Sequence, residues 1–122
     1  FPMSCPGRDG YEIKVAGADS RSWLVVTKSG QEIYNSMNDI NAESGGYFAN
    51  VAGKVLEWRY DDAKNLVALI VRISAQDSDN PNKSFSKLFV FRYESGRFCY
   101  LNTHKTNQGA HHIADSTGSC RI

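Results

Sequence analysis

Residues 85–101, with the sequence FSKLFVFRYESGRFCYL, constrain the fold of this chain more than any other segment. Two apolar runs, both rich in aromatic residues, meet at the tripeptide Glu94-Ser95-Gly96. A Ser-Gly pair between two runs of β-forming residues is a turn signal, so the segment is predicted to form a β-hairpin. A rigid hairpin with a compact polar tip can enter the cleft of another protein. The segment therefore makes a binding protein a candidate before any enzyme.

Short runs of this kind recur along the chain, and we count about eight predicted strands with turn signals between them. Besides the two arms of the hairpin, they cover residues 11–15, 22–27, 31–37, 47–51, 54–60 and 66–74. The run 66–74 (LVALIVRIS) is apolar on both faces and is expected to be central. No long segment shows the helical period of 3.6 residues. The sequence therefore predicts an all-β fold of about eight short antiparallel strands, forming a sandwich or a barrel with little helix.

The segments between the strands have the composition of turns and loops. Residues 38–46 and 76–83 are polar and are predicted to be loops, and Lys28-Ser29-Gly30 closes a strand. Gly53 is predicted to start a turn. Residues 110–116 (AHHIADS) fit either one helical turn or a strand.

The length and composition are those of an ordinary globular protein. The 122 residues fit one domain, and we expect a single β domain over residues 1–122 with an irregular N-terminal arm at residues 1–10. Hydrophobic residues make up 41% and charged residues 22%, which argues against a disordered chain. A formal net charge of +1 argues against nucleic acid as a partner, because phosphate binding needs a clustered basic surface. No apolar run approaches the roughly 20 residues that cross a bilayer, so we expect no membrane insertion.

The chain start and the cysteines both favour an exported protein. The sequence begins Phe1-Pro2-Met3, which indicates removal of a signal peptide or an engineered start. Cys5, Cys99 and Cys120 are an odd number of cysteines. A disulfide between Cys99 and Cys120 would hold the C-terminal tail, and closing such a loop should stabilise the fold by about 3 kcal/mol. Cys5 could instead pair with either of them, and the remaining cysteine would be free or would bridge to a second chain. Three unpaired thiols in a cytosolic protein are the alternative.

The histidines near the C-terminus have the residue types of a metal or nucleophile site. His111 and His112 with Asp115, near His104, resemble part of a zinc ligand set. However, adjacent histidines on a strand point to opposite faces, and the spacing matches no standard zinc pattern. A Cys99 thiolate beside a histidine would be a nucleophile, but a bridged cysteine is not. Surface histidines near a strand end are therefore the favoured interpretation.

Other polar groups also have simpler structural explanations. The segment Asp77-Ser78-Asp79-Asn80 resembles the opening of a calcium loop, but Leu88 stands where the closing Glu would fall. Glu57 and Arg59 are expected to take part in ion pairs across strands. The chain has no phosphate-binding glycine loop and no serine nucleophile elbow. We therefore predict no catalytic residue, no metal ligand and no cofactor, and we expect that the protein is not an enzyme.

Two segments, Ser44-Gly45-Gly46-Tyr47 and Ser95-Gly96-Arg97-Phe98, share one layout of a serine and a glycine before an aromatic residue. Glycine permits a tight tip because it tolerates positive φ. Serine offers both a donor and an acceptor. The aromatic residue either provides a rigid contact or packs beneath the tip. Two ordinary hairpin turns are the alternative to a binding role.

The chain resembles the bacterial periplasmic lysozyme inhibitors, in particular the inhibitor of invertebrate-type lysozyme. The resemblance rests on the size, the all-β pattern, the Ser-Gly turns, and the stretches GGYFANVAGKVLEWRY and LFVFRYESGRFCYL followed by HIADS and a terminal cysteine. It covers roughly residues 45–120. In these inhibitors a loop with a Ser-Gly-x-Tyr or Ser-Gly-x-x-Tyr motif enters the active-site cleft of the lysozyme. The resemblance implies a periplasmic protein whose partner is a lysozyme, with the invertebrate type favoured.

The resemblance also implies which residues bind the lysozyme. They are Ser95, Gly96, Arg97, Phe98 and Tyr100 of the hairpin, or Ser44, Gly45 and Tyr47 of the other segment. The Ser95 turn is favoured because neighbouring strands and Cys99 would hold it rigid, which lowers the ordering cost of binding. Phe98 stands where the motif has tyrosine, and Tyr100 is the alternative source of a hydroxyl. Arg97 adds a charge that suits an acidic cleft, since glycosidases carry paired carboxylates.

Two further expectations do not depend on the motif. An odd cysteine and an open sheet edge are compatible with a homodimer, because unpaired edges invite pairing. The second functional hypothesis is a secreted β-barrel that binds a small molecule or a glycan. Aromatic residues, which are 11% of the chain, would then line a sizeable apolar cavity.

Overall fold

The computed structural model describes residues 10–18, 21–45, 48–76, 80, 82 and 84–116, with the backbone alone at residues 3–5 and 53–55. Within these ranges the chain forms eight strands and two short helices. In chain order they are β1 (Met3–Cys5), β2 (Tyr11–Ala18), β3 (Arg21–Lys28), β4 (Gln31–Asn35), α1 (Met37–Ser44), β5 (Phe48–Tyr60), β6 (Leu66–Gln76), β7 (Ser84–Glu94), β8 (Arg97–His104) and α2 (Asn107–Ala114).

The described strands form two four-stranded sheets, in the orders β1-β2-β3-β4 and β5-β6-β7-β8. The strand pairs β1–β2, β2–β3, β3–β4 and β7–β8 are antiparallel. The prediction of an all-β fold with about eight strands and little helix is confirmed. The sequence left a sandwich and a barrel open. Both sheets are open, so the described strands match the sandwich-like fold and not a closed barrel.

The chain divides into two compact units, and each is described by itself below. The first contains Phe1–Val51 and Ser74–Phe85, and the second contains Ala52–Ile73 and Ser86–Ile122. The single domain over residues 1–122 stays a prediction. The strand β1 lies within the segment that the sequence predicted to be irregular, where it pairs with β2 from Met3↔Val15 to Cys5↔Ile13.

In the first unit, β2 shows the alternation that the sequence predicted. Tyr11, Ile13 and Val15 are all buried, as expected for one face of a strand with period 2. The β3–β4 hairpin turns at Ser29 and Gly30, which have φ of 53° and 80°. Helix α1 then occupies most of the segment predicted to be a loop, so that prediction is wrong. The error has a physical reason, since Ile40 is the only large apolar residue inside the helix after Met37 and no apolar period is visible.

In the second unit, β6 lies between β5 and β7, as its apolar sequence predicted. Its residues Ala68 and Ile70 pack with β7 and with Ala110 and Ala114 of α2 in one buried cluster. Residues 110–116 thus belong mainly to a helix, and Thr106 caps it by accepting a hydrogen bond at Oγ1 from the N–H of Gly109, at 3.1 Å. The predicted turn at Gly53 is wrong, because β5 continues through this residue without a break.

No helix of the described residues is long and apolar enough to span a membrane.

Candidate binding hairpin

The tip of the β7–β8 hairpin consists of Ser95 and Gly96, between the paired residues Glu94 and Arg97. Both tip residues have positive φ, 52° at Ser95 and 81° at Gly96. Positive φ at both central positions is the pattern of a type I′ turn, whose twist matches that of paired antiparallel strands. Ser95, Gly96 and Arg97 are exposed. The predicted hairpin is confirmed, and its tip is narrow, polar and open to solvent.

The tip rests on a layer of aromatic side chains along one face of the hairpin. Phe98 lies opposite Tyr93, and their ring centroids are 5.1 Å apart. Further from the tip, Tyr100 packs against Phe89 and Phe91 with centroid distances of 5.6 and 6.1 Å. Aromatic pairs of this kind stabilise by about 0.5 to 1.5 kcal/mol beyond the burial of their area. The side chains behind the turn therefore hold the hairpin in one conformation.

This layer changes the role expected of Phe98. The side chain was predicted to contact a partner or to pack beneath the tip, and the residue is only 5% exposed. Of the two roles, support of the tip is the one that its burial allows in this conformation. Tyr100, the alternative source of a hydroxyl, is half-buried and lies four residues beyond Gly96. The exposed part of the candidate site is therefore Ser95, Gly96 and Arg97.

Arg92 anchors the hairpin on its other face, opposite Cys99 in the register. The residue is 7% exposed. Its Nη1 donates hydrogen bonds to the carbonyl oxygens of Ala114 at 2.9 Å and Val67 at 3.2 Å, and its Nη2 donates to that of Ser116 at 3.0 Å. Carbonyls at a helix C-terminus carry partial negative charge, which favours a cation there. Arg92 thus ties the base of the tip to β6 and to the end of α2.

The two charged residues at the tip have different surroundings. Glu94 is half-buried, whereas Arg97 is exposed and forms no ion pair with any described residue. A guanidinium with its N–H donors directed to solvent can bind a carboxylate in a bidentate manner. The tip therefore presents one hydroxyl and one cation close together.

In the second Ser-Gly segment, Ser44 and Gly45 lie at the end of a helix and not at the tip of a hairpin. Ser44 is the last residue of α1, is 3% exposed, and donates its hydroxyl to the carbonyl oxygen of Ile40 at 2.6 Å. Gly45 is exposed and has φ of 62°, the left-handed conformation that commonly ends a helix. Gly46 and Tyr47 lie outside the described residues. The two segments share their sequence layout, but the Ser44 hydroxyl is bonded within the protein whereas Ser95 is exposed.

A third Ser-Gly pair, Ser29-Gly30, has the same turn geometry as the Ser95 tip. Its φ angles are 53° and 80°, and the flanking residues Lys28 and Gln31 are paired. The sequence predicts a strand end at this position and no functional role. The signal that could have shown the hairpin was the Ser-Gly pair between two β-forming runs, the same signal that predicted the Ser95 turn.

Cys99 is half-buried in β8 and is disulfide-bonded. A bridged sulfur is not a nucleophile, so Cys99 carries no thiol chemistry in this state. The predicted partner, Cys120, lies outside the described residues, and the Cys99–Cys120 pairing stays a prediction. A disulfide at this position in β8 would restrict the strand two residues after Arg97.

Two of the residues considered for a metal site, His111 and Asp115, contact Glu57 and Arg59 in a network of charged groups. Nε2 of His111 lies 2.8 Å from Oε2 of Glu57, and Arg59 contacts Glu57 at 3.2 Å and Asp115 at 2.8 Å. His111 and His112 lie on α2 and not on a strand, whereas His104 is the last residue of β8. No group of three or more potential metal ligands occurs among the described residues. Asp77, Ser78 and Asp79 of the calcium-like segment fall outside them.

Arg59 is the charged centre of this network. Burial acts to lower the pKa of its guanidinium, but the hydrogen bonds and charges of Asp115 and Glu57 outweigh burial and raise the pKa above its ordinary value. Arg59 therefore stays protonated at neutral pH.

Comparison of the chain with protein-family models, with curated proteins and with solved structures returns no match.

Proposed function

We propose that the protein inhibits a lysozyme, with the invertebrate type as the favoured target, by inserting the tip of the Ser95 hairpin into the active-site cleft. The observation that supports this proposal best is the exposed Ser95-Gly96-Arg97 tip on a two-residue turn. A two-residue turn is the narrowest connection between antiparallel strands. A tip of this kind fits a cleft that binds an extended sugar chain.

Rigidity of the hairpin supports the same proposal. A loop that orders only on binding loses conformational entropy, and that loss is subtracted from the affinity. Here Phe98 and Tyr93 pack behind the turn, and Arg92 fixes the strand before it. The tip is held in its conformation before any partner arrives.

The chemistry of the tip complements the cleft of a glycosidase. Such enzymes carry two carboxyl groups on either side of the bond that they cleave. The Ser95 hydroxyl can donate a hydrogen bond to one carboxylate, and Arg97 supplies a positive charge beside it. Occupying these groups blocks both substrate and catalysis.

Export to the periplasm belongs to this proposal, because that is where such an inhibitor would protect the cell wall. A homodimer remains compatible with the open edges of both sheets. The proposal includes no cofactor and no catalytic residue.

Lysis of cell-wall suspensions tests the proposal directly. Invertebrate-, chicken- and goose-type lysozymes are assayed with and without the protein. We expect selective inhibition of one class, with the invertebrate type favoured. Lack of inhibition of all three would refute the lysozyme-inhibitor function.

Two serine variants then test the assignment of the motif. Ser95→Ala is expected to weaken inhibition because it removes an exposed hydroxyl from the tip. Ser44→Ala removes a buried hydroxyl that is bonded to Ile40, so its expected effect is on stability. If neither substitution weakens inhibition, the motif assignment is wrong even where inhibition itself is observed.

A further inference from the structure

The second unit contains an open polar cleft that the hairpin tip does not use. Its volume is about 490 Å³. Its charged and aromatic lining residues are Arg59, Tyr60, Asp61, Asp62, Arg92 and Asp115. They come from the end of β5, the turn after it, β7 and the end of α2. We propose that this cleft binds a neutral sugar of one or two rings.

The charges of the lining select against simple ions. Three carboxylates would repel an anion, and two guanidinium groups would oppose a cation. Arg59 already occupies the Asp115 carboxylate at 2.8 Å, so a cationic ligand would compete with it there. A neutral ligand is repelled by neither set of charged groups, and burying it costs less free energy than burying a charge.

Hydroxyl groups match the donors and acceptors that remain. Every sugar hydroxyl both donates and accepts, and the cleft offers acceptors on its aspartates and donors on Arg59 and Tyr60. Asp61 is fixed because its Oδ1 accepts a hydrogen bond from the backbone N–H of Asn65 at 2.8 Å. Its second oxygen, Oδ2, is the one that a ligand would reach. The half-buried ring of Tyr60 adds an aromatic face of the kind on which sugar C–H groups pack.

One atom in the lining lacks a partner. Nε of Arg59 is buried and has no hydrogen bond to any described residue. A buried donor without an acceptor costs about 1 to 3 kcal/mol, so such an atom calls for an explanation. The atom has no surface open to the cleft in this conformation, so a ligand hydroxyl would accept from it only after the side chain turns.

The size of the cleft sets the size of the ligand. A volume of 490 Å³ lies within the range, roughly 300 to 1,000 Å³, of small-molecule sites. One or two sugar rings fill such a space, and the open side lets a longer chain continue into solvent. This proposal does not depend on lysozyme inhibition and stands or falls separately from it.

The test is a titration of the ¹⁵N-labelled full chain, followed by backbone amide shifts. The probes are N-acetylglucosamine and its β-1,4 dimer, which are neutral, with glucosamine as a cation and glucuronate as an anion. We expect the neutral sugars to shift the amides of Tyr60, Asp61, Asp62 and Asp115 with saturation in the millimolar range. The amide of Gly30, which does not line the cleft, should not move.

A pair of charge variants assigns the site. Asp62 in the cleft and Glu43 on α1 are both exposed, so Asp62→Asn and Glu43→Gln each remove one surface charge. Asp62→Asn is expected to weaken binding about tenfold, the value of one hydrogen bond to a charged group. Glu43→Gln should leave binding unchanged. The proposal is overturned if neutral sugars give no saturable shift at these amides, if only a charged probe shifts them, or if both variants bind alike.

Discussion

The Ser29 and Ser95 hairpins have nearly the same turn in different surroundings. The φ angles are 53° and 80° at Ser29 and Gly30, against 52° and 81° at Ser95 and Gly96. Both serines are exposed. Because the turns match so closely, the Ser-Gly pair cannot by itself mark a binding site. What distinguishes the two hairpins is the side chains next to each turn.

The two hairpins differ first at the residue two positions after the turn glycine. Phe98 is buried and packs on Tyr93, whereas Glu32 at the same position of the other hairpin is exposed. The pairing of β3 with β4 also shifts its register next to that turn, between Val26 and Thr27. The Ser95 turn therefore has a packed support directly behind it, which the Ser29 turn lacks at this position.

Charge is the second difference. Nζ of Lys28 lies 4.5 Å from the centre of the Tyr11 ring, so this cation is already engaged. Arg97 forms no ion pair with a described residue. The Ser95 turn therefore combines rigidity with an accessible cation, and for this reason the proposed binding role falls to it.

The largest expected effect is the loss of folding stability when the aromatic side chain that supports the tip is removed. Phe98→Ala should lower the free energy of unfolding by about 3 kcal/mol, because it removes a buried aromatic ring and leaves a cavity. Glu32→Ala, at the matched position, should change it by less than about 0.5 kcal/mol. Urea denaturation with the disulfide intact measures both. Equal effects of the two variants would mean that the supports do not differ.

Charge reversal at the tip should have the next largest effect. Arg97→Glu is expected to weaken lysozyme inhibition about thirtyfold, or about 2 kcal/mol, because it places a third negative charge near the catalytic carboxylates. Gln31→Glu introduces a glutamate at the matched position beside the Ser29 turn and should leave the inhibition constant unchanged. If Arg97→Glu inhibits as well as the wild type, Arg97 is not part of the proposed interface.

Alanine at the turn glycines should affect the two hairpins equally. Gly30 and Gly96 have φ near +80°, and an added Cβ would meet no atom within 4 Å at either position. The cost is therefore conformational and should be about 1 kcal/mol in each case. Unfolding free energies of Gly30→Ala and Gly96→Ala provide the comparison. A difference above about 1 kcal/mol would show that the two turns are not equivalent in solution.

The smallest expected effect concerns the cation of the Ser29 hairpin. Lys28→Met should destabilise the fold by about 0.5 kcal/mol, since it removes an exposed contact with the Tyr11 ring. Arg97→Met should be neutral in stability because Arg97 makes no such contact. Thermal and urea denaturation of the two variants distinguish these outcomes. A larger loss for Arg97→Met would show that this side chain supports its own hairpin.

Local sequence patterns predicted those parts of the fold that depend on neighbouring residues. The Ser95 hairpin followed from a turn pair between two β-forming runs, and the interior position of β6 followed from its apolar sequence. Both signals act over a few residues, so no knowledge of the tertiary structure is needed.

The errors arose where tertiary packing decides the conformation. Helix α1 has little apolar period, and it is fixed by burial of Ile40, which is 1% exposed. Gly53 has the composition of a turn, yet β5 continues through it. The same limit applies to the candidate site, because Ser44 and Ser95 stand in similar motifs and only the structure shows that one hydroxyl is buried. Propensity is a weak prior when packing opposes it.

Two tryptophan variants test the assignment of the binding tip most directly. Ser95→Trp and Ser29→Trp place the same bulky residue on matched turns, so any backbone cost is shared. The inhibition constant of each is measured against invertebrate-type lysozyme, after circular dichroism has confirmed that both fold. We predict that Ser95→Trp loses inhibition by more than about a hundredfold, because the widened tip no longer enters the cleft, while Ser29→Trp inhibits like the wild type. Wild-type inhibition by Ser95→Trp would contradict the insertion of this hairpin.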